Sequence, residues 1–183
     1  MVTPPLGLDF SHFEQMAQLE RCFYGEEFIT PPEEAYRWYL RYPYTVVAES
    51  DCRRVVGFVN LFPVQPHIAR ALRAGLFNDH FLTLDGVVDI EAEPSSPLHM
   101  FLSCVVVDAA YRHRGITRRL LRRAVEQYAA VSHRCSEVLT DNVTAEGVAF
   151  SRRYGFRFLC ASNHSSSVYS ISWKNLCAQL ADA

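Results

Sequence analysis

The sequence predicts a mixed α/β domain whose sheet contains at least one parallel pair of strands. The main observation is that strand and helix patterns alternate with short connections in the second half of the chain. The chain has 183 residues, of which 49% are apolar and 21% are charged, an ordinary composition for a soluble globular protein. This length suits one domain with a substantial core, so we expect a single domain over 1–183.

The first part of the chain predicts two helices. Ser11 is suited to be an N-cap, and Glu14 stands where a capping box needs it, so a helix is predicted from Ser11 to about Tyr24. Prolines and acidic residues favour a first helical turn, which places the start of a second helix at Pro31. This helix should end near Pro43.

A hairpin and a long connection follow. Strands are predicted over Tyr44–Glu49 and Val55–Phe62, joined by a turn over Ser50–Arg54. The connection over 63–97 is polar and punctuated by glycine and proline, with a short helix near His67–Ala74. Long irregular connections inside compact domains are often functional, so this segment is of interest.

The second half gives clearer signals. A buried strand is predicted over Leu98–Val107, and an amphipathic helix over Gly115–Val131. The remaining predicted elements are a strand over Ser136–Thr140, a helix over Thr144–Tyr154, and strands over Phe156–Ala161 and Val168–Trp173.

Composition excludes several classes of protein. The formal net charge of −2 gives no general attraction to nucleic acid or to an anionic membrane. No apolar run approaches the ~20 residues of a membrane-spanning helix, and Met1–Pro5 lacks the features of a signal peptide. The six scattered cysteines show neither a CxxC pair nor zinc-ligand spacing, so we expect reduced, mostly buried thiols, no metal site and a cytoplasmic location.

The most informative segment joins the strand Leu98–Val107 to the helix that follows it. The strand ends in Val105, Val106 and Val107, and a basic turn then comprises Arg112, His113, Arg114, Gly115, Ile116 and Thr117. Backbone N–H groups and the positive dipole end at a helix start favour an anion, and Gly115 permits close approach of the backbone. The pattern therefore predicts a diphosphate site. It does not indicate a nucleic-acid surface, because the basic patch is local and no aromatic residues interleave with it.

The basic residues further along the helix have a simpler interpretation. An amphipathic helix exposes its polar face, so these side chains are predicted to be solvated. They are Arg118, Arg119, Arg122 and Arg123.

The turn resembles the acetyl-CoA signature of the GNAT superfamily, Arg/Gln-x-x-Gly-x-Gly/Ala. Arg112 and Gly115 match, whereas Thr117 replaces the usual small last residue. Downstream, Asn142 and the run ending in Tyr-Gly-Phe resemble the second motif of the family, with Ser151 at the position where many members carry a catalytic tyrosine. Asn142 stands about two residues too far from the glycine of that run, which implies a bulge or a longer turn.

This resemblance implies a fold and a reaction. The expected GNAT fold has a central mixed, mostly antiparallel sheet with one splayed parallel strand pair, flanked by helices on both faces. Acetyl-CoA would be the co-substrate, with its pantetheine arm against Val105 and Val107 and its diphosphate on Arg112–Thr117, and Asn142 would contribute to the same site. Direct transfer to a primary amine of a small molecule or of a protein or peptide N-terminus would follow, and the resemblance is also consistent with a homodimer.

Three residues are candidates for proton transfer. Glu137 is the first candidate for the base, because some GNAT members that acetylate protein N-termini resemble this chain in carrying glutamate there; the other interpretation is an exposed strand carboxylate. Ser151 and Tyr154 are candidates on the side of the leaving thiolate, since Tyr154 carries a phenol and Ser151 stands at the family's tyrosine position. Further possible groups on the acceptor side are Glu26, Glu27, His99 and Ser103.

The acceptor is expected near the loop Phe23–Phe28, the second predicted helix and the connection 63–97, where acidic residues would favour a cation. The other interpretation of these acids is solubility. A second function is a catalytically degenerate GNAT domain that binds acyl-CoA as a sensor or interaction module. A third, an unrelated nucleotide-binding α/β domain, is disfavoured because neither a Walker loop nor a Rossmann glycine motif is present.

Overall fold

The computed structural model of the protein describes residues 7–92 and 97–181. The helices are α1 (Phe10–Glu20), α2 (Pro32–Arg41), α3 (Pro66–Arg73), α4 (Ile116–Gln127), α5 (Ala145–Arg153) and α6 (Trp173–Ala181). The strands are β1 (Val46–Asp51), β2 (Arg54–Val64), β3 (Leu98–Val107), β4 (Cys135–Asn142), β5 (Arg157–Ala161) and β6 (Ser167–Ser172).

The strands form one six-stranded sheet in the order β1-β2-β3-β4-β6-β5. β3 and β4 run parallel, whereas β1 with β2, β4 with β6, and β5 with β6 are antiparallel. The parallel ladder joins Leu98–Phe101 with Cys135–Leu139, and within the described residues it does not continue beyond them. The predicted mixed sheet with a parallel pair is therefore confirmed.

By compactness the described residues divide into two units. The first unit contains 7–61 and 104–130, and the second contains 62–92, 97–103 and 131–181. The expectation of a single domain over 1–183 stays a prediction.

In the first unit, both faces of the sheet carry helices. Side chains of α1 and α2 pack in one cluster with alternate residues of β3, Cys104 and Val106. The other face meets α4, because a Cβ placed on Gly57 of β2 would lie 3.3 Å from Ile116. The same Cβ would lie 2.9 Å from the Val106 carbonyl oxygen and 3.2 Å from Val107, so glycine is required here chiefly by the backbone of β3.

In the second unit, β4, β5 and β6 form an antiparallel ribbon beside α3, α5 and α6. The core side of α6 buries Trp173, Leu176 and Leu180. Trp173 was predicted to end a strand, and this was wrong. Its indole Nε1 donates to Ser132 Oγ over 2.8 Å, and Ser172 Oγ accepts from the Asn175 N–H, so the chain turns into a helix at this residue.

The predicted N-cap of the first helix was also wrong. The N-cap lies two residues earlier, at Asp9, and α1 begins at Phe10. Asp9 Oδ1 accepts from the His12 N–H at 3.3 Å, and His12 Nδ1 in turn accepts from the Asp9 N–H at 3.2 Å. The capping box is therefore Asp9 with His12, and Ser11 only donates its hydroxyl to Asp9. A carboxylate close to the helix start is a stronger acceptor than a hydroxyl and complements the helix dipole.

The connection over 63–97 contains more regular structure than a loop. The predicted short helix is confirmed as α3, and two 3-10 turns follow over Asp79–Phe81 and Leu84–Gly86. Hydrogen bonds from Val88 N to Pro63 O and from Gln65 N to Gly86 O fold the segment back on itself. Residues 93–96 of this connection lie outside the described residues.

The cysteines agree with the sequence prediction in part. None of the six forms a disulfide bond. Cys104 and Cys135 are buried, but Cys22 and Cys52 are exposed, so the expectation of mostly buried thiols was wrong for these two. Cys22 follows α1 on its solvent side, and Cys52 lies at the tip of the β1–β2 hairpin, where neither can reach a core.

No helix among the described residues is long and apolar enough to cross a membrane.

Candidate functional site: the β3–α4 turn and the end of β4

Asp108 fixes the backbone at the point where β3 ends and the basic turn begins. Its own N–H donates to Val56 O, and its Oδ1 accepts from the Ala110 N–H, both over 2.9 Å. Its Oδ2 forms an ion pair with Arg54 at 2.5 Å. The Asp108 side chain is 12% exposed and the Arg54 side chain 67%, so a nearly buried carboxylate ties the turn to β2.

The turn adopts the backbone conformation that an anion site needs. His113 and Gly115 both have positive φ, +63° and +73°. Gly115 is the N-cap of α4, and no side chain of the described residues caps this helix end. An α-helix does not use its first N–H groups internally, and helix N-termini of this kind can bind phosphates.

Glycine is required at position 115 because the backbone φ is positive, and not because a larger side chain would lack room. A Cβ placed there would lie 3.5 Å from Arg119 Nη1, an ordinary contact distance, and no other described residue apart from its chain neighbours comes closer. An L-residue at this φ is strained whatever the space around it.

The three basic side chains of the turn are exposed, and two of them rest on aromatic rings. The guanidinium of Arg112 lies 4.9 Å from the centroid of Phe23, and that of Arg114 lies 4.9 Å from the centroid of Tyr111. The Tyr111 hydroxyl donates to Asp51 Oδ2 over 2.7 Å, which raises the pKa of the phenol and lowers the pKa of Asp51. Cation–π contacts of this kind hold a guanidinium in place without consuming its N–H donors.

Arg119 supports the turn, and the sequence analysis missed this role. Its Nη1 donates to Arg114 O over 2.7 Å, while its Nε and Nη2 pair with the Glu49 carboxylate on β1. Glu49 raises the pKa of Arg119, so the cation persists. Arg123 likewise donates to Ala48 O over 2.9 Å.

The Arg119 side chain is 52% exposed, as a solvated face predicts, but Arg119 and Arg123 also contact β1. Both lie on the side of α4 nearest β1, where a carboxylate and a carbonyl are within reach. Arg119 follows Gly115 by one helical turn, and this spacing was the available signal.

The valines before the turn alternate as a strand should. Val106 is buried, whereas Val105 and Val107 are half-buried.

A groove of about 590 Å³ also opens in this unit. It is lined by Gln15, Gln18, Leu19, Cys22, Phe23, Arg54, Val55, Asp108 and Ala109. Phe23 belongs to the loop where the acceptor was expected.

In the second unit, Glu137 is held in an ion-paired cluster. Its Oε1 accepts from Arg73 Nε at 2.9 Å and lies 3.0 Å from His99 Nδ1. The Glu137 side chain is 14% exposed, so the interpretation as an exposed strand carboxylate was wrong. β3 and β4 bring His99 directly opposite Glu137, and α3 supplies Arg73. Only the fold could show this arrangement, because Arg73 and Glu137 are 64 residues apart.

The second motif places Asn142 against Ser151. Asn142 Nδ2 donates to Ser151 Oγ over 2.9 Å, and Ser151 is fully buried. The extra residues of this motif are taken up by β4, which continues to Asn142, and by Thr144, whose hydroxyl caps α5 through the Gly147 N–H at 3.0 Å. Tyr154, at the end of α5, is half-buried with its ring centroid 4.8 Å from that of Phe150.

No group of three or more histidine, cysteine, aspartate or glutamate side chains among the described residues is arranged to hold a metal ion.

Comparisons with known proteins bear on the fold and the family. A structure of a GphF GNAT-like decarboxylase in complex with isobutyryl-CoA is similar, with a TM-score of 0.66 at 14% identity over 91% of this chain and 97% of that chain. The loading GNATL domain of CurA from Lyngbya majuscula gives a TM-score of 0.62 at 13% identity over 91% of this chain and 96% of that chain. Naa50 of Arabidopsis thaliana, solved with the bisubstrate analogue CoA-Ac-MVNAL, gives 0.59 at 14% identity over 91% of this chain and 95% of that chain.

At these identities the structures show the fold, which is the GNAT fold that the resemblance implied. No curated protein sequence matches the chain. The model of the acetyltransferase (GNAT) family matches residues 13–156. This match spans the basic turn, Glu137, Asn142 and Ser151, and the chain is a member of the GNAT acetyltransferase family.

Proposed function

We propose that the protein transfers an acetyl group from acetyl-CoA directly to a primary amine of a small molecule or of a peptide N-terminus. The observation that carries this proposal is the uncapped N-terminus of α4, preceded by two residues of positive φ and surrounded by exposed basic side chains. Naa50 was solved with a CoA–peptide analogue, and this supports a peptide N-terminus as one acceptor class.

The residues of the first unit fit a CoA diphosphate. In this proposal the N–H groups of Ile116 and Thr117 receive the diphosphate oxygens, and Arg112, His113 and Arg114 supply positive charge. The backbone of Val105–Val107 would pair with the pantetheine arm, and Asn142 is a further candidate for contacting the cofactor. The acyl donor supplies a thioester, and the protein's contribution is to orient it and to stabilise developing negative charge with backbone donors.

Proton transfer is assigned to the second unit. An amine must lose its proton before attack, since a lysine-type ammonium has a pKa near ~10. Arg73 and His99 occupy Oε1 of Glu137, so we propose that Glu137 accepts a proton through its other oxygen or together with the His99 ring. Tyr154 would protonate the leaving thiolate, while Ser151 would orient Asn142 through their hydrogen bond.

The same proposal includes a cytoplasmic location. The lack of disulfide bonds among the six cysteines supports a reducing compartment.

The second candidate function is an acyl-CoA sensor without turnover. It is favoured by one observation, the fully buried Ser151 at the position where many relatives carry a tyrosine. A sensor would bind acetyl-CoA but would not consume it in the presence of any amine.

The test is calorimetric titration with acetyl-CoA, followed by chromatographic measurement of free CoA with a panel of amines. Chromatography is preferred to thiol-reactive dyes because Cys22 and Cys52 are exposed. We expect saturable binding that Arg114→Ala weakens and Arg122→Ala, on the same helix but away from the turn, does not. Release of CoA that depends on an amine supports the transferase, and binding without release supports the sensor. A folded protein that binds neither acetyl-CoA nor longer acyl-CoAs, isobutyryl-CoA included, contradicts both.

A further inference from the structure

The hairpin that joins β1 to β2 closes with a strained two-residue turn. Asp51 and Arg54 form the last pair of its antiparallel ladder, so Cys52 and Arg53 make up the turn. Both turn residues have positive φ, +48° and +69°. Turns of this kind favour asparagine and glycine, because other L-residues are strained in the left-handed region. Backbone strain persists where the surrounding structure holds it in place, and it is concentrated at functional sites.

The last pair of the hairpin holds the segment that leads from β3 into the basic turn. This segment is a 3-10 turn over Ala109–Tyr111, with Asp108 as its N-cap. Arg54 on β2 pairs with Asp108 Oδ2, and Asp51 on β1 accepts at its Oδ2 from the Tyr111 hydroxyl over 2.7 Å. The hairpin therefore fixes the 3-10 turn at both of its ends.

A β-bulge beside the hairpin turn supplies a third link. The register shifts between Glu49 and Ser50, which leaves Val56 of β2 without an opposite residue in the ladder with β1. The Val56 carbonyl accepts from the Asp108 N–H over 2.9 Å. Bulges are frequent beside active sites, where they redirect a strand. Strained turn, bulge and ion pair all lie where the hairpin meets the end of β3.

Tyr111 extends this support to the basic turn. Its ring centroid lies 4.9 Å from the guanidinium of Arg114, and its hydroxyl is bound to Asp51. A cation–π contact orients a guanidinium without using its N–H donors. A continuous series of contacts thus runs from the hairpin through the phenol to a cation that the proposed function places beside the diphosphate.

The charge of Asp51 is unfavourable beside an anion site. The hydrogen bond from Tyr111 lowers the pKa of Asp51, and the charge of Arg114 lowers it further, so the carboxylate is ionised at neutral pH. A negative charge near Arg114 weakens the attraction of the turn for a diphosphate. A favourable effect of Asp51 on binding therefore acts through the position of Tyr111, and not through charge.

We propose that Asp51 is a positioning residue of the acetyl-CoA site. Through the Tyr111 hydroxyl it holds the ring that orients Arg114 toward the diphosphate, while the bulge and the Arg54 ion pair hold the 3-10 turn. The proposal rests on the proposed function, because it assumes that the basic turn binds acetyl-CoA. A guanidinium that is already ordered loses less entropy when it meets a phosphate, so the link contributes to affinity.

The first test is Tyr111→Phe, which removes the hydroxyl and keeps the ring beside Arg114. In calorimetry we expect acetyl-CoA to bind about three- to tenfold more weakly, the effect of one lost hydrogen bond. In steady-state kinetics KM for acetyl-CoA should rise while kcat stays unchanged, because the link does not touch the reacting atoms. The matched control Glu14→Gln, at an exposed position of α1, should bind acetyl-CoA as the wild-type protein does.

The second test, Asp51→Ala, separates position from charge. Loss of a negative charge would by itself tighten the binding of a diphosphate, whereas loss of the link to Tyr111 weakens it. We expect weaker binding of acetyl-CoA by Asp51→Ala. The double variant Asp51→Ala/Tyr111→Phe should show no further loss, because both changes break the same hydrogen bond.

Each outcome decides the proposal. Unchanged or tighter acetyl-CoA binding by Asp51→Ala overturns it, as do losses that add in the double variant or a fall in kcat of Tyr111→Phe with KM unchanged. If circular dichroism shows that Asp51→Ala does not fold, Tyr111→Phe decides alone, and wild-type affinity then overturns the proposal. A wild-type protein that binds no acetyl-CoA overturns the proposed function as well, whereas binding that both substitutions leave intact overturns the role of Asp51 alone.

Discussion

Substitution of Gly115 by alanine tests the turn most directly, because the structure separates its effect on stability from its effect on binding. Gly115 has a φ of +73°, and a left-handed conformation costs an L-residue about 1–2 kcal/mol. For a chain of 183 residues this corresponds to a fall in Tm of roughly 2–8 °C. Space is not the reason, since the added methyl group would have no neighbour closer than 3.5 Å.

Gly155→Ala is the matched control for Gly115→Ala. Gly155 has nearly the same φ, +74°, and closes α5 far along the chain from the basic turn. Its added methyl group would lie 2.5 Å from Gln179 Nε2, the end of a flexible side chain that can move away, so a comparable loss of stability is expected. Urea denaturation should therefore show similar destabilisation of both variants, whereas calorimetry should show weakened acetyl-CoA binding for Gly115→Ala alone.

A third variant separates the backbone strain at position 115 from the blocking of the proposed diphosphate site by an added side chain. Asparagine tolerates the left-handed region better than alanine, so Gly115→Asn should recover part of the stability. If Gly115→Ala proved as stable as the wild-type protein, the strain argument would be refuted. If it bound acetyl-CoA as tightly as Gly155→Ala, the turn would not be the diphosphate site.

Three further predictions follow from the remaining contacts. Arg119→Gln should weaken acetyl-CoA binding about five- to tenfold in calorimetry, the effect of one hydrogen bond to a turn carbonyl. The control Arg122→Gln should not weaken binding, because the similarly exposed Arg122 pairs with Glu126 of its own helix at 3.6 Å. Equal effects of the two substitutions would contradict the supporting role of Arg119. Glu137→Gln should lower kcat and change the pH–rate profile, and an unchanged profile would rule out Glu137 as the base. Burial raises the pKa of Asp79 above its ordinary 3.8, so ionisation of this carboxyl destabilises the native state as the pH rises past that value. Asp79→Asn should therefore be more stable than the wild-type protein at neutral pH, and this gain should vanish in acid below the ordinary pKa. A stability difference that stayed constant across urea titrations at several pH values would count against this reasoning.

Much of the local structure could be predicted from the sequence. β3 has the bounds that its apolar run indicated, and α4 follows with its apolar side buried, because both patterns depend on the periodicity of neighbouring residues. The basic turn was also predictable, since a strand, a glycine and a helix start are all local signals. The exact cap was not, because Asp9 and Ser11 stand two positions apart and both residue types are favoured at an N-cap.

The sequence by itself determined the fold class, the family resemblance and the position of the basic turn. Only the tertiary structure decided how the polar groups are used: Arg119 meets Glu49 across 70 positions of the chain, and His164 meets Asp141 across 23. These partners come together through the pairing order of the sheet, which depends on non-local burial, and no local pattern of residues records it. For the same reason the ion-paired state of Glu137 could be seen only after the strands had been placed side by side.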